Sequence, residues 1–183
     1  MPSSPQKRTI PAKQLQGVES PATVLLHPVI FDREKGLGWW THDGVLCGGI
    51  QVTSAPGFAA GDEGRIAYLP TPIPRSWGQR AFDVVVEYEA ESSEARFQLR
   101  CYYGCGDPSE LHLGETALLK GKGGGKQRLR FRLNEAHLTR NELFRCAIGV
   151  IRQTPEPVLV YGVWLEVGVE YLAEVVSGRG RDG

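Results

Sequence analysis

From residue 82 onward, apolar and polar side chains alternate with a period of two. In AFDVVVEYEA, Phe82, Val84, Val86 and Tyr88 share one face, while Asp83, Val85, Glu87 and Glu89 share the other. Such alternation is what a half-buried strand requires. ESSE then turns the chain, and ARFQLRCYYG sends Phe97, Leu99, Cys101 and Tyr103 inward, with Arg96, Gln98, Arg100 and Tyr102 outward. The two runs predict an antiparallel hairpin, with the outward acids of the first opposite the outward arginines of the second. QRLRFRLNEA repeats the logic, setting Leu129, Phe131 and Leu133 against Arg128, Arg130 and Arg132. FRCAIGVI offers Phe144, Cys146, Ile148 and Val150 to the same interior. PVLVYGVWLEV differs: Leu159, Tyr161, Val163 and Leu165 face one way, and Val158, Val160 and Trp164 face the other. A strand apolar on both faces is covered on both, here by a loop, a terminal arm or another subunit.

The earlier runs are shorter. TVLLHPVIFD predicts one or two strands broken near Pro28, and GVLCGGIQVTS a strand with a glycine bulge at Gly48–Gly49. GRIAYLPTPIP begins as a strand and ends as an extended proline segment. The helix candidate is NEAHLTRNELF, where Asn134 caps one short turn. No internal repeat or heptad is present. Eight or so short strands separated by Gly/Pro turns predict an all-β chain: two antiparallel sheets packed as a jelly-roll β-sandwich.

Composition sharpens this picture in a few places. The 183 residues suit one domain, and 23 glycines with 12 prolines suit many turns. Residues 1–22 predict a flexible arm, disordered or docked on a neighbour; residues 23–170 form the sandwich, and residues 171–183 a tail. The balance of 21 basic residues against 21 acidic ones argues against electrostatic capture of nucleic acid, and the apolar runs are too short for a membrane helix. The absence of a visible signal segment predicts a cytoplasmic location. Cys47, Cys101, Cys105 and Cys146 read as free buried thiols rather than a zinc site, with a Cys101–Cys105 bridge as the intermediate possibility.

The order RIAYLPTP, FDVVVEYEA, ARFQLRCYYG, QRLRFRLNEA, NELFRCAIGVI, VLVYGVWLEV resembles the galactose-binding-domain-like jelly rolls. Val84, Val86 and Tyr88 match that family's V-x-V-x-Y strand. Leu129, Phe131, Leu133 and Ala136 match a later strand, and Phe144–Arg145 and Val160–Tyr161 with Val163 match the last two. The resemblance spans roughly residues 65 to 167 and implies a fold more than an activity. Many members are carbohydrate-binding modules, which implies a carbohydrate or related polar ligand. The family often holds a structural calcium. Asp62 and Glu63 are the compact acidic candidate here, and they read as a solvated turn, so no metal or cofactor is expected.

Sugar recognition needs exposed aromatic planes and a few fixed polar groups. GLGWWTHDGVLCGGIQV, residues 36–52, supplies Trp39, Trp40, His42 and Asp43; Trp77 and Tyr102 are further ligand-binding candidates. If the chain is extended there, Trp39 and Trp40 point to opposite sides, so one stacks on ligand and the other plugs the core. The basic stripe Arg128, Arg130, Arg132 reads as a salt-bridged face neutralised by Glu87 and Glu89. GKGGGK reads as a flexible hairpin loop rather than a phosphate cradle, because no helix follows it. His27, His42, His112 and His137 lie in unrelated contexts, and no nucleophile motif is present, so no catalytic residue is assigned. The sequence therefore predicts a non-catalytic binding module. The alternative is a structural or assembly subunit, such as a shell, virion or particle component, joined through the arm and residues 158–165.

Overall fold

The structure is a computed structural model that describes residues 23–31, 37–42, 45–53, 59–107 and 109–167; of these, residues 30–31, 38–42 and 45–48 are described by backbone alone. Among the described residues the chain forms twelve strands: β1 (Thr23–Leu26), β2 (Pro28–Phe31), β3 (Leu37–His42), β4 (Val45–Val52), β5 (Glu63–Tyr68), β6 (Thr71–Pro72), β7 (Phe82–Glu89), β8 (Arg96–Cys105), β9 (His112–Lys120), β10 (Gln127–Arg132), β11 (Leu143–Arg152) and β12 (Val158–Val167). They form two six-stranded antiparallel sheets. The first runs β10-β7-β12-β4-β3, with β1 also on β12; the second runs β2-β5-β11-β8-β9, with β6 on β11. The all-β jelly-roll sandwich predicted from the alternating runs is the observed fold. No helix of the described residues is long and apolar enough to cross a membrane.

The inward faces follow the alternation. Phe82, Val84, Val86 and Tyr88 of β7, Phe97, Leu99, Cys101 and Tyr103 of β8, and Phe144, Cys146, Ile148 and Val150 of β11 all enter one core. Burying a side chain of this size contributes about 1.5–3 kcal/mol. Ring contacts cross between the sheets: Phe82 meets Phe144 edge-on at 5.7 Å, and Tyr88 meets Phe97 at 5.7 Å. Asn134 caps a single 3-10 turn, Glu135–His137, its Oδ1 accepting the Ala136 N–H at 3.0 Å. The break at Pro28 is real: β1 belongs to the first sheet and β2 to the second, so the chain changes layer at His27.

Two expectations are corrected. β7 and β8 do not form a hairpin: β7 lies between β10 and β12, and β8 between β11 and β9, in opposite sheets. Alternation dictates which side chains point inward, but says nothing about which strand lies alongside. The acids of β7 instead meet the arginines of β10, where Arg128 is the register partner of Glu87 and Arg132 that of Asp83. The second correction concerns β12. Its pairing with β7 skips a residue between Val160 and Gly162. That bulge reverses the phase, so Val158, Val160, Val163, Leu165 and Val167 face the core. Tyr161, Trp164 and Glu166 therefore lie on the outer face, and Tyr161 and Val163 do not share a side. β9, whose HLGETALLK lacks clean alternation, and β3 were not predicted as strands. The bulge expected at Gly48–Gly49 is present: Trp39 pairs Ile50 and Thr41 pairs Leu46, leaving three residues of β4 opposite one of β3.

Candidate functional site

The outer face of the first sheet brings together two aromatic rings that the sequence reading did not assign to a site. Tyr161 and Trp164, three residues apart on β12, are both half-buried. The bulge puts Tyr161 and Gly162 outward in succession, and Trp164 follows on the same face. Gly49 of β4 lies under Tyr161: a Cβ there would stand 3.2 Å from the ring's Cδ1, so a larger residue would tilt the ring away. The Tyr161 hydroxyl donates to Glu89 Oε2 at 2.6 Å. The same carboxylate accepts the Gly125 N–H at 2.9 Å. Gly123, Gly124 and Gly125 all adopt positive φ (81°, 107° and 86°), so the glycine-rich loop curls over β7 in a conformation that side chains resist. Trp164 is held in turn by its indole N–H, which donates to Glu166 Oε2 at 2.9 Å.

Charged side chains frame the rings in matched pairs. Arg128 Nε donates to Glu87 Oε2 at 3.1 Å, and Lys126 Nζ lies 3.8 Å from Glu87 Oε1. Arg130 donates a hydrogen bond to Glu166 and approaches Asp83 at 3.7 Å. The basic stripe is thus a neutralised sheet face; of the two acids expected to neutralise it, Glu87 does so, joined by Glu166 and Asp83, while Glu89 accepts from Tyr161 and Gly125 instead. Lys126 Nζ also sits 4.1 Å from the Tyr161 ring centroid, and the Arg128 guanidinium 5.1 Å from that of Trp164. Burial pushes the Asp83 carboxyl up, against the pull of Arg132 and Arg130. Burial also raises Glu166, but hydrogen bonds from Arg130 and Trp164 outweigh it and hold that carboxyl below its usual range.

The sequence-predicted residues fare differently. Trp77 is a correction: its ring is 1% exposed and packs 5.5 Å from Phe82, so it plugs the core and offers no face to a ligand. The 3-10 turn Arg75–Trp77 rolls it inward, which the linear pattern around PRSWG did not reveal. Tyr102 is the second correction. It does lie on the outer face of the second sheet, but at 8% exposure. Its hydroxyl donates to Glu63 at 2.6 Å, and the Arg65 guanidinium covers the ring at 3.9 Å. Trp39, Trp40 and His42 lie on β3, two strands from β12 in the first sheet, and their side chains fall outside the described residues, as does Asp43 altogether. Of the acidic pair weighed for calcium, Glu63 is taken by Tyr102 and Arg65, and Asp62 Oδ2 accepts the Ala59 N–H at 2.8 Å. Cys101, Cys105 and Cys146 are free thiols, and no cluster of three metal-ligating groups occurs among the described residues.

No family model matches the chain, and no curated protein matches its sequence. Solved structures do resemble it. TmCBM27, a carbohydrate-binding module described for specific mannan recognition, aligns at 16% identity over 81% of this chain and 90% of its own, with a TM-score of 0.43. CBM29_1, a family 29 carbohydrate-binding module from Piromyces equi, aligns at 9% identity over 81% of this chain and 92% of its own, with a TM-score of 0.43. PfGH50B aligns at 10% identity with a TM-score of 0.51, over 80% of this chain and 24% of its own. At that identity the likeness to PfGH50B is one of fold: the two-sheet sandwich built here also occurs as a segment of a longer chain.

Proposed function

We propose that this chain is a non-catalytic carbohydrate-binding module that holds a glycan on the outer face of the first sheet. One observation carries the reading: Tyr161 and Trp164 lie on a single sheet face, each tethered by a carboxylate and framed by paired charges. Sugar rings present C–H faces that pack on aromatic planes, and hydroxyls that bridge fixed donors and acceptors; this face offers both. The resemblance of the strand pattern to galactose-binding-domain-like jelly rolls points the same way.

The charge balance narrows the ligand. Lys126, Arg128, Arg130 and Arg132 stand against Asp83, Glu87, Glu89 and Glu166, one negative charge for each positive. A face so balanced exerts little net field, which suits a neutral glycan better than an acidic one. Lys126 and Arg128 cover the rings in the free protein and are 54% and 67% exposed, so they swing aside at a cost of about 0.5–1 kcal/mol each. The assembly alternative is not favoured. Once the bulge is accounted for, the outer side of β12 carries Leu159, Tyr161, Trp164 and Glu166, a mixed surface rather than a second apolar face.

Affinity electrophoresis through gels cast with neutral mannan, xylan or mixed-linkage glucan tests the proposal. Retardation by at least one gel is expected. Tyr161→Ala and Trp164→Ala should each weaken it on the order of tenfold, about 1.4 kcal/mol. Retardation unchanged in both variants, or absent in every gel, refutes it.

A further inference from the structure

The edge of β12 opposite β7 is shared by two strands. β4 pairs with Val158–Val160, and β1 pairs with Val163–Glu166. Neither pairs with Tyr161 or Gly162, so the hydrogen-bonded edge has a gap beside the bulge. A cavity of about 140 Å³ occupies that gap. Its rim carries Leu25 and His27, both exposed, and the half-buried Tyr161; its floor is formed by Ile50, Tyr68 and Val163, all buried in the core. The lining is mainly apolar, the exposed His27 is its polar residue at the rim, and the Tyr161 hydroxyl turns away from it to Glu89 of β7. Leu25, 56% exposed, faces Trp164 across the β1–β12 pairing, so the well is continuous with the aromatic platform.

We infer that this well receives the acetyl substituent of an acetylated sugar whose ring rests on the platform. The inference deepens the carbohydrate-binding reading and rests on it. The volume is close to the roughly 150 Å³ that admits a benzene-sized guest in an apolar cavity. An acetamido or acetoxy group, with four heavy atoms, fits within it. The methyl is taken up by the aliphatic walls, and the carbonyl oxygen accepts a hydrogen bond from His27 at the rim. A bare hydroxyl at the same sugar position leaves the walls unfilled and enters an apolar space without a full set of partners. The shared chemistry is the acetyl group, which reaches a glycan through nitrogen or through oxygen.

Titration calorimetry on the whole chain with two matched pairs tests this and separates the two sources. The first pair is N-acetylchitohexaose and cellohexaose; the second is O-acetylated glucomannan and the same polymer after alkaline deacetylation. About tenfold tighter binding of the acetylated member in at least one pair is expected. His27→Trp, an exposed substitution that plugs the mouth, should bring that ratio to about one. Equal affinity within both pairs, or a ratio unmoved by His27→Trp, overturns the acetyl well and leaves the platform reading standing. Failure to bind any of the four overturns the well. The platform falls with it only if the neutral gels also fail to retard the protein.

Discussion

The two outer sheet faces use the same parts to opposite ends. On the second sheet, Tyr102 lies over Gly149, where a Cβ would stand 3.1 Å from its Cε2. On the first, Tyr161 lies over Gly49, where the corresponding distance is 3.2 Å to Cδ1. Each hydroxyl donates to a glutamate at 2.6 Å, Glu63 in one case and Glu89 in the other. Each ring has a cation over it, Arg65 at 3.9 Å and Lys126 at 4.1 Å. Yet Tyr102 is buried and Tyr161 is half-exposed. The difference is the neighbouring strand. Tyr102 has β11 on one side and β9 on the other, so both flanks are filled. Tyr161 sits at a bulge with β7 on one side and the gap between β4 and β1 on the other. A glycine beneath a ring and a carboxylate at its tip are thus compatible with either a sealed face or an open one, and strand continuity selects between them.

The comparison breaks most visibly at the sealed ring. Tyr102→Ala should cost about 2–4 kcal/mol of stability by urea denaturation, as for a large core truncation, and leave glycan affinity unchanged. If it abolishes binding in a folded protein, the two faces are not distinct. The glycines come next. Gly149→Val presses on both Tyr102 and Glu63 in a filled face and should destabilise by about 1–3 kcal/mol. Gly49→Val meets a ring with room to tilt, so it should cost under about 1 kcal/mol of stability while weakening glycan binding. Equal stability losses would show that Tyr161 is as tightly packed as Tyr102.

Smaller effects concern the charges. Lys126→Ala uncovers Tyr161 and should tighten glycan binding by about 2–5-fold, the equivalent of roughly 0.5–1 kcal/mol. The carboxylates around Arg130 should respond to pH with opposite signs. Glu166 titrates below its ordinary value in the folded state, so its contribution is present above pH 4.5 and is lost as pH falls through the depressed folded value. Asp83 titrates above its ordinary value of 3.8, so its charge opposes folding at neutral pH and acidification relieves that cost. Denaturation at pH 7 should therefore show Glu166→Gln destabilised and Asp83→Asn slightly stabilised, each by roughly 0.5 kcal/mol. Both differences should shrink at pH 3.

The core was legible because burial writes itself into alternate positions. Phe82, Phe97, Phe131 and Phe144 were placed inside from periodicity alone, and all are buried. The Asn134 cap was legible for a similar reason, since its hydrogen bond is closed within two residues. The platform was not legible. A strict period of two assigns Tyr161 and Trp164 to opposite faces, and a single extra residue in one strand, invisible in composition, unites them. Trp77 failed in the converse way, because an exposed-looking PRSWG turn rolls its largest side chain inward.

The sequence by itself determined which side chains leave water, since that follows from local pattern and the free energy of apolar transfer. Only the tertiary structure decided which strands lie side by side, that β7 and β8 face each other across the core, and that β1 and β4 leave a gap along β12. Those outcomes depend on pairing between segments distant in the chain. Alternating patterns of equal strength are compatible with many such pairings until the closed sandwich selects one.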